Sequence, residues 1–317
     1  LAQLFPWHAA VWVGAAAVLS GVIIRKAPAG FPSAAVRTLP WVAIAGFALW
    51  PGEPAPVESK AIHQILSFPD TRRTERLPGT FGVVEVVESP YLRDIPGLSL
   101  AAPVAPSPRP VVLRNGEMIG PLAGAGRQAD PNPTTFTIER LGYVGMEAEN
   151  VLLLGTEGGL PLELALALGS QWVVGAEPDH AVAAVIRREL DEFGGIPESG
   201  RPYRLMEKAP RSVLEQRIGN WDLIRFPTVG GVGGNLGYSA LSEDFTLTME
   251  ALQSAWDQLK AGGRLQFTVW QDYPPRNLPR ILAMLRRLLV TRGVADPVSH
   301  LAAWRGWGSV SIVAAKT

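Results

Sequence analysis

The first fifty residues contain two apolar runs separated by a short basic stretch. The run from Trp7 to Ile24 carries no Asp, Glu, Lys or Arg. It reaches the lower end of the roughly 17–25 residues that a helix needs to cross a bilayer, so it predicts one transmembrane helix over residues 7–24. The run from Leu39 to Trp50 is shorter. It predicts either a second span over residues 39–50 or a segment that lies at the membrane interface.

The flanks of these runs bear on where the rest of the chain lies. No basic residue precedes the first run and no A-x-A-type site follows it directly, which favours an anchor over a cleavable signal peptide. Arg25, Lys26 and Arg37 lie between the runs, and positive charge marks the cytoplasmic side of a membrane. If only the first run crosses the membrane, the chain after Trp50 is cytoplasmic. If both runs cross it, the chain after Trp50 lies on the opposite side. The sequence predicts a membrane protein and leaves the side of its remaining domains open.

Short β-type runs with frequent Gly and Pro follow the apolar segment. Pro51 to Val57 is a proline-rich linker. Thr80 to Glu88 partly alternates apolar and polar residues, which predicts a half-buried strand. Val111 to Leu113 runs into Asn115 and Gly116, a pair typical of a tight turn between strands. The pattern predicts a membrane segment over residues 1–52 and a small β-domain with its linker over residues 53–148.

From residue 149 to 317 the pattern changes to apolar runs of strand length that alternate with helical stretches. Alternation of this kind predicts a parallel, doubly wound α/β sheet, with helices covering both faces. The predicted strands lie at residues 150–154, 172–176, 203–206, 221–226, 264–269 and 308–315. The first predicted helix begins after residue 159 and runs to residue 168. The others lie at residues 181–193, 211–218, 242–259 and 278–290.

A glycine-rich turn follows the first of these strands. Gly155, Gly158 and Gly159 lie between that strand and the next helix, and Glu177 closes the second strand. Glycines at such a turn let a ligand approach the backbone at a helix N-terminus, and an acidic residue at this spacing accepts hydrogen bonds from ribose hydroxyls. The pattern indicates a nucleotide-type site, and the alternative is a glycine turn that serves only the packing of helix against strand.

Composition narrows the function. The chain has 29 basic and 29 acidic residues, so it lacks the basic excess of a nucleic-acid-binding protein, and we expect no nucleic-acid partner. It contains no cysteine, which excludes disulfides, thiolate metal sites and cysteine nucleophiles. Its four histidines do not follow a metal-ligand spacing, and no metal site is expected.

The chain from about residue 59 onward resembles the spermidine synthase (aminopropyltransferase) family, especially its membrane-attached bacterial branch. The resemblance is carried by VLLLGTEGGLPLELALALGSQWVVGAEPDHAV from Val151, by WDLI from Trp221, by the segment from Ser239 to Trp270, and by VVEVVESPYLRDIPGLSL from Val83. It implies a methyltransferase-like, Rossmann-type sheet preceded by a β-domain, a location in the bacterial inner membrane, and often a homodimer. Family members transfer the aminopropyl group of decarboxylated S-adenosylmethionine to putrescine, with an aspartate after the fourth strand as the base.

Several positions depart from that family pattern. Glu157 stands where a glycine is expected in the loop, although a carboxylate there could pair with a cationic sulfonium or amine. Arg225 to Thr228 (RFPT) offers no carboxylate after the fourth strand, so the sequence assigns no catalytic residue. The DGxxQ-type strand of soluble members reads NGEMI here, and their YHE-type motif is absent. The candidate cofactor-binding residues are Gly155, Glu157, Gly158, Gly159, Glu177 and Glu207, the last at the position that contacts adenine in the family.

Three hypotheses follow. The first is a catalytically degenerate, membrane-anchored protein that serves as an accessory or scaffold subunit beside other membrane proteins. The second is an active aminopropyl- or methyl-transferase that uses S-adenosylmethionine or its decarboxylated form, with Glu157, Glu177, Glu207 and Glu243 as candidate acids. The third is a sensor that binds a nucleoside or polyamine without turnover.

Overall fold

The structure is a computed structural model that describes residues 60–124, 131–192, 202–230 and 245–316, together with the isolated positions 14 and 58. The predicted spans at residues 7–24 and 39–50 lie outside this part of the chain, apart from Gly14. Within the described residues, every helix is too short or too polar to span a membrane.

The small β-domain is a four-stranded antiparallel meander with one short helix. Its strands are consecutive neighbours in the order β1-β2-β3-β4. Val87, Val111 and Leu113 pack against Ile62 and Ile65 of the helix on one face. The elements are α1 (Ala61–Leu66), β1 (Arg72–Gly79), β2 (Gly82–Glu88), β3 (Val111–Arg114) and β4 (Glu117–Pro121).

The second strand of this domain differs from its predicted half-buried state. Val84 and Val86 of β2 face the larger domain, while Val87 faces α1, so the strand is buried on both sides. Glu85 is also buried, and Arg73 of β1 lies 3.0 Å from its carboxylate. The partial alternation in the sequence reflects this buried carboxylate, which Arg76 also approaches to 3.8 Å, rather than an exposed face.

The larger domain is a seven-stranded sheet in the order β10-β11-β9-β8-β5-β6-β7. The five strands from β9 to β7 are parallel, and β11 runs antiparallel to both of its neighbours. The strands are β5 (Asn150–Leu153), β6 (Trp172–Ala176), β7 (Tyr203–Met206), β8 (Trp221–Arg225), β9 (Leu259–Trp270), β10 (Leu301–Arg305) and β11 (Ser309–Ala315). The predicted α/β sheet is confirmed.

Helices cover both faces of this sheet, as a doubly wound sheet requires. Leu162 of α2 and Ile186 of α3 pack on one face, where the small β-domain also joins the core through β2, β3 and the end of β4. Leu214 of α4, Leu252 of α5 and Leu285 of α6 pack on the other. The helices are α2 (Leu160–Ala167), α3 (His180–Glu192), α4 (Pro210–Glu215), α5 (Met249–Asp257) and α6 (Asn277–Thr291), with 3-10 helices η1 (Pro133–Phe136), η2 (Ile138–Tyr143) and η3 (Pro297–His300).

Several boundaries differ from the prediction, most of all those of α5, which begins at Met249 rather than at residue 242. The helix predicted over residues 242–259 ends at Asp257, and β9 begins at Leu259, earlier than expected. The strand β9 therefore includes Gly262 and Gly263, which the sequence places before the predicted strand. The amide of Gly262 donates to the carbonyl of Lys316 at 2.7 Å. The strand β10 was not predicted, because four of its five residues are exposed and show no periodicity.

Candidate functional site

The chain reverses its direction across the sheet between β5 and β8. From β5 it continues to β6 and β7 on one side, and it then returns to β8 and β9 on the other. Ligands of open α/β sheets bind beyond the carboxyl ends of the strands at such a switch point. Here that position lies beyond Leu153 of β5 and Arg225 of β8, which are paired in register.

The loop after β5 has the backbone conformation of a glycine turn. Glu157, Gly158 and Gly159 have φ values of 46°, 78° and 97°, all in the left-handed region. Glycine adopts this region freely, whereas any other residue there costs about 1–2 kcal/mol. The loop therefore keeps the shape that the sequence predicts, with Glu157 strained into a glycine conformation.

The closest neighbour of this loop is the backbone of the small β-domain. The amide of Ala123 donates to the carbonyl of Gly158 at 2.9 Å, and Leu122 pairs with Gly159 as an antiparallel bridge. A Cβ at Gly158 would lie 2.3 Å from the carbonyl oxygen of Pro121, and one at Gly120 would lie 2.5 Å from that of Glu157. The glycines thus allow two stretches of backbone to approach closely. In this structure the glycine turn packs against the small β-domain, and not only between its own strand and helix.

Gly155 serves a similar purpose at the other end of the loop. A Cβ there would lie 3.1 Å from the Cβ of Pro227, which follows β8. Glycine at position 155 allows the ends of β5 and β8 to approach each other closely.

An ion-pair cluster lies at the switch point, where the side chain of Glu157 meets Arg225. Arg225 donates from Nη2 to Oε2 of Glu157 at 2.7 Å and from Nη1 to Oε1 at 3.1 Å. Its Nε donates to Oε2 of Glu139 at 3.0 Å, and Nη2 also contacts Oε1 of Glu139 and Oγ1 of Thr228. The amide and hydroxyl of Thr228 donate to Glu157 at 2.6 and 2.9 Å. We call Glu139, Glu157, Arg225 and Thr228 the switch-point cluster.

The charges in this cluster are mutually stabilised. Burial disfavours the ionised form of Glu157, but the charge of Arg225 and hydrogen bonds from Arg225 and Thr228 outweigh it, so the pKa of Glu157 is below its ordinary value. Burial opposes the charge of Arg225 as well, and Glu139 and Glu157 together raise the pKa of Arg225. The side chain of Arg225 is 2% exposed, so it is a permanently charged group held in the interior by two carboxylates.

Glu177 lies at the end of β6 as the sequence predicts, and its carboxylate already has donors. Thr156 donates its hydroxyl to Oε2 of Glu177, and the amide of Asp179 donates to Oε1 at 3.1 Å. Glu177 is buried, and this burial raises its pKa despite the two hydrogen bonds. The turn of the small β-domain closes over this region, because the amide of Thr80 donates to Asp179 at 3.1 Å.

Glu207 follows β7, the neighbour of β6, so Glu177 and Glu207 lie at adjacent strand ends. The carboxylate of Glu207 pairs with Arg187 of α3 at 2.8 Å. The structure therefore places all six predicted residues at strand ends or in the loop after β5, and the carboxylate of Glu207 is paired with an arginine of α3. The cofactor-binding role of all six stays a prediction. Glu243 lies outside the described residues.

A cavity of about 350 Å³ opens on the β8–β9 side of the switch point. It lies between the small β-domain and the sheet, with Ile95, Ile119 and Trp270 among its apolar walls. Four carboxylates line it, those of Asp94, Glu117, Glu139 and Glu157. Of the predicted cofactor-binding residues only Glu157 belongs to this lining.

Two polar features of the cavity are of interest. Thr268 lines it with a buried hydroxyl that has no hydrogen-bond partner among the described residues. Partial burial raises the pKa of Asp94. Lys60 pairs with Glu117 at 2.7 Å, and Arg225 pairs with Glu139 and Glu157, so three of the four lining carboxylates pair with a cation of the described residues.

Sequence reasoning missed the role of Glu139 and treated Arg225 only as the loss of a carboxylate. One signal was available: Arg225 is a charged residue in the apolar run WDLIRF. A charge in a fully buried strand requires a buried counter-charge. The identity of that partner was not readable, because Glu139 and Glu157 lie 86 and 68 residues away along the chain.

No protein-family model and no curated protein matches this sequence. Solved structures match it in fold. A probable spermidine synthase from Corynebacterium glutamicum is 15% identical, with a TM-score of 0.51 over 77% of this chain and 80% of that chain. The spermidine synthase from Thermotoga maritima is 15% identical, with a TM-score of 0.50 over 78% and 73%. At these identities the similarity concerns architecture, and the chain has a Rossmann-like fold of the spermidine synthase type.

Proposed function

We propose that this protein is a catalytically degenerate protein of spermidine synthase fold, anchored in a membrane by residues 7–24, that serves as an accessory or scaffold subunit of a membrane complex. The observation that carries the proposal is the switch-point cluster. Arg225 and its two carboxylates occupy the place where the transfer chemistry of this fold would need a free base.

Neither Arg225 nor Glu157 is a competent base for amine deprotonation. The guanidinium of Arg225 has no acceptor atom and keeps its proton under all ordinary conditions. Glu157 has a lowered pKa and accepts hydrogen bonds from Arg225 and Thr228, so it is a weak base whose lone pairs are already engaged.

The glycine loop after β5 and Glu177, where the sequence predicts a nucleotide-type ligand, support the same proposal. The backbone that directly follows β4 pairs with the glycine loop through Leu122 and Ala123, and this pairing engages the carbonyl of Gly158. The carboxylate of Glu177 is occupied by Thr156 and Asp179. A ribose would have to share Glu177 with these two donors, which take about half of the hydrogen bonds that a carboxylate can accept.

Calorimetric titration of the full-length chain in mild detergent tests the proposal. The ligands are S-adenosylmethionine, its decarboxylated form and methylthioadenosine, with circular dichroism to show that the sample is folded. We expect no heat of binding and no thermal stabilisation at millimolar ligand. Micromolar binding, followed by aminopropyl or methyl transfer detected by mass spectrometry, would instead establish an active transferase.

A second candidate function is amine binding without turnover. It is favoured by the cavity, which is lined by four carboxylates. Among the described residues, Lys60 and Arg225 pair with three of them. A cationic amine would be attracted to this excess of negative charge.

Titration with putrescine tests this second candidate. Asp94→Asn removes the one lining carboxylate for which the structure gives no ion pair, and we expect it to weaken putrescine binding about tenfold, the scale of one charge-assisted hydrogen bond. Glu207→Gln lies outside the cavity and serves as the matched control, with binding unchanged. Absence of putrescine binding to the wild-type chain would exclude this function and leave the scaffold proposal in place.

A further inference from the structure

The segment from α6 to the end of β10 carries a concentrated positive charge. Residues 276–307 contain six of the 29 basic residues of the chain and only one of its 29 acidic residues. Since the whole chain has no net charge, the rest of the molecule is acidic and this segment is its basic pole. A surface with such an excess of one charge attracts partners of the opposite charge.

The arginines of this segment lie on the outer side of α6. Arg276 directly precedes the helix, and Arg280 and Arg287 follow it by four and eleven residues, a spacing that places all three along one line of the helix. All three are exposed, while α6 buries its opposite side in the core. Arg292 pairs with Asp257 at 2.6 Å. The other three have no ion pair with a carboxylate in the part of the chain that the structure describes, so their charge is available to a partner.

Large apolar side chains are exposed beside these arginines. The helix η3 packs against both α6 and β10, so the three elements form one continuous band. Val290 of α6 is 51% exposed, Val298 of η3 is 74% exposed, and Trp304 and Trp307 are 63% and 76% exposed. We call the exposed side chains of residues 276–307 the basic band.

We propose that the basic band is a docking surface for an anionic lipid bilayer. Guanidinium groups pair well with phosphate, and basic side chains are attracted to the anionic headgroups of a bilayer. Tryptophan favours the boundary between headgroups and hydrocarbon, and a valine gains free energy when it leaves water for an apolar phase. A nucleic acid offers the same phosphates but no hydrocarbon for Val290 and Val298. The combination of unpaired arginines with exposed tryptophan and valine therefore favours a bilayer.

This inference goes beyond the proposed anchor at residues 7–24, because it concerns a folded surface at the other end of the chain. An anchor would hold the protein at a bilayer of any lipid composition. Docking through the basic band requires anionic lipid, and it would fix the orientation of the large domain on the bilayer. The dependence on lipid charge therefore separates this proposal from the proposed anchor.

A fluorescent label at a single cysteine tests the docking, because the chain contains no native cysteine. Ser299→Cys places a polarity-sensitive label on the exposed side of η3, next to Val298. We expect the emission of the labelled full-length chain to shift to shorter wavelength in bicelles that contain phosphatidylglycerol and phosphatidylcholine, and to stay unshifted in bicelles of phosphatidylcholine alone. Arg204→Cys, at an exposed position of β7 on the opposite edge of the sheet, is the control and should stay unshifted in both.

A charge variant in the Ser299→Cys background tests the role of the arginines. It combines Arg276→Gln, Arg280→Gln and Arg287→Gln. We expect this variant to weaken docking about 100-fold, at several-fold for each basic residue near an anionic surface, and so to lose the shift. The matched control makes the same change in net charge at three exposed arginines outside the basic band and should keep the shift: Arg72→Gln, Arg93→Gln and Arg140→Gln.

Several results would overturn the proposal. These are the absence of a shift at Ser299→Cys in anionic bicelles, an equal shift in bicelles of phosphatidylcholine alone, and an undiminished shift in the charge variant, with circular dichroism to show that each sample is folded. Micromolar binding of a single-stranded RNA by the lipid-free chain in mild detergent, lost in the charge variant, would assign the basic band to a nucleic acid and would overturn the proposal as well.

Discussion

Replacement of Arg225 by methionine is the most informative perturbation of the switch-point cluster. Methionine has a similar length and no charge, so it removes the guanidinium while leaving the buried volume nearly filled. Glu139 and Glu157 then face each other and Thr228 without a cation.

The size of the effect follows from the burial of these charges. Breaking a buried ion pair by removing one partner costs about 3–5 kcal/mol, because the remaining charge is left uncompensated. Arg225 is 1% exposed and bridges two carboxylates. We therefore expect the free energy of unfolding of Arg225→Met to fall by about 3–5 kcal/mol at pH 7. For a domain of this size that corresponds to a melting temperature lower by about 6–20 °C.

The effect should also depend on pH with a defined sign. Because Arg225 lowers the pKa of Glu157, the stability that Glu157 contributes is present above its unfolded pKa and is lost as the pH falls through its folded pKa. The destabilisation in Arg225→Met should accordingly be largest near pH 7 and shrink in acid, where the stranded carboxylates become protonated.

Urea denaturation of the full-length chain at several pH values measures both quantities. Arg286→Met changes an exposed arginine of α6 and is the matched control, for which we expect a change within about 0.5 kcal/mol. A loss below about 1 kcal/mol for Arg225→Met at pH 7 would contradict the account of a buried, carboxylate-held guanidinium.

Three further predictions concern the surroundings of the site. Gly158→Ala should lower the free energy of unfolding by more than about 2 kcal/mol, because the new Cβ would clash with backbone. Gly145 has a similar φ but open space around it, so Gly145→Ala should lower the free energy of unfolding by about 1 kcal/mol in the same denaturation assay. Glu163→Gln removes the charge of a fully buried carboxylate that accepts hydrogen bonds from Arg109 at 2.8 and 3.0 Å. We expect the free energy of unfolding, measured by urea denaturation, to fall by about 3–5 kcal/mol. Burial raises the pKa of Glu177, so its favourable contribution is present below the unfolded pKa and is lost as the pH rises. Glu177→Gln should therefore gain stability relative to wild type as the pH rises above 4.5, and an unchanged difference would contradict this.

Much of the α/β architecture was predictable because its strands are buried on both faces. Val151 to Leu153 read as an apolar run, Trp221 to Ile224 are apolar except for Asp222, and helical stretches separate the two segments. Burial from both sides leaves few alternatives to a parallel strand at this length. The strand β10 escaped prediction for the opposite reason, since an exposed edge needs no apolar pattern.

The candidate site was predictable in its backbone and not in its contacts. The left-handed conformation of Gly158 and Gly159 follows from their position after a strand and before a helix. The residues that pack against these glycines cannot be predicted from the local sequence, because Pro121 and Ala123 come from the other domain. A glycine turn suits a ligand or a second backbone equally well, since both need the space that a Cβ would fill.

Local sequence therefore determined the order of strands and helices, the glycine turn after Leu153, the acidic residue at the end of β6 and the absence of a carboxylate after β8. Tertiary structure alone decided that β4 covers the glycine turn, that Glu139 and Glu157 share Arg225, and that a cavity opens beside Trp270. The physical reason is one of range. Periodicity and turn chemistry depend on neighbours within a few residues, whereas a buried charge can be compensated by any residue that the folded chain brings within hydrogen-bond distance.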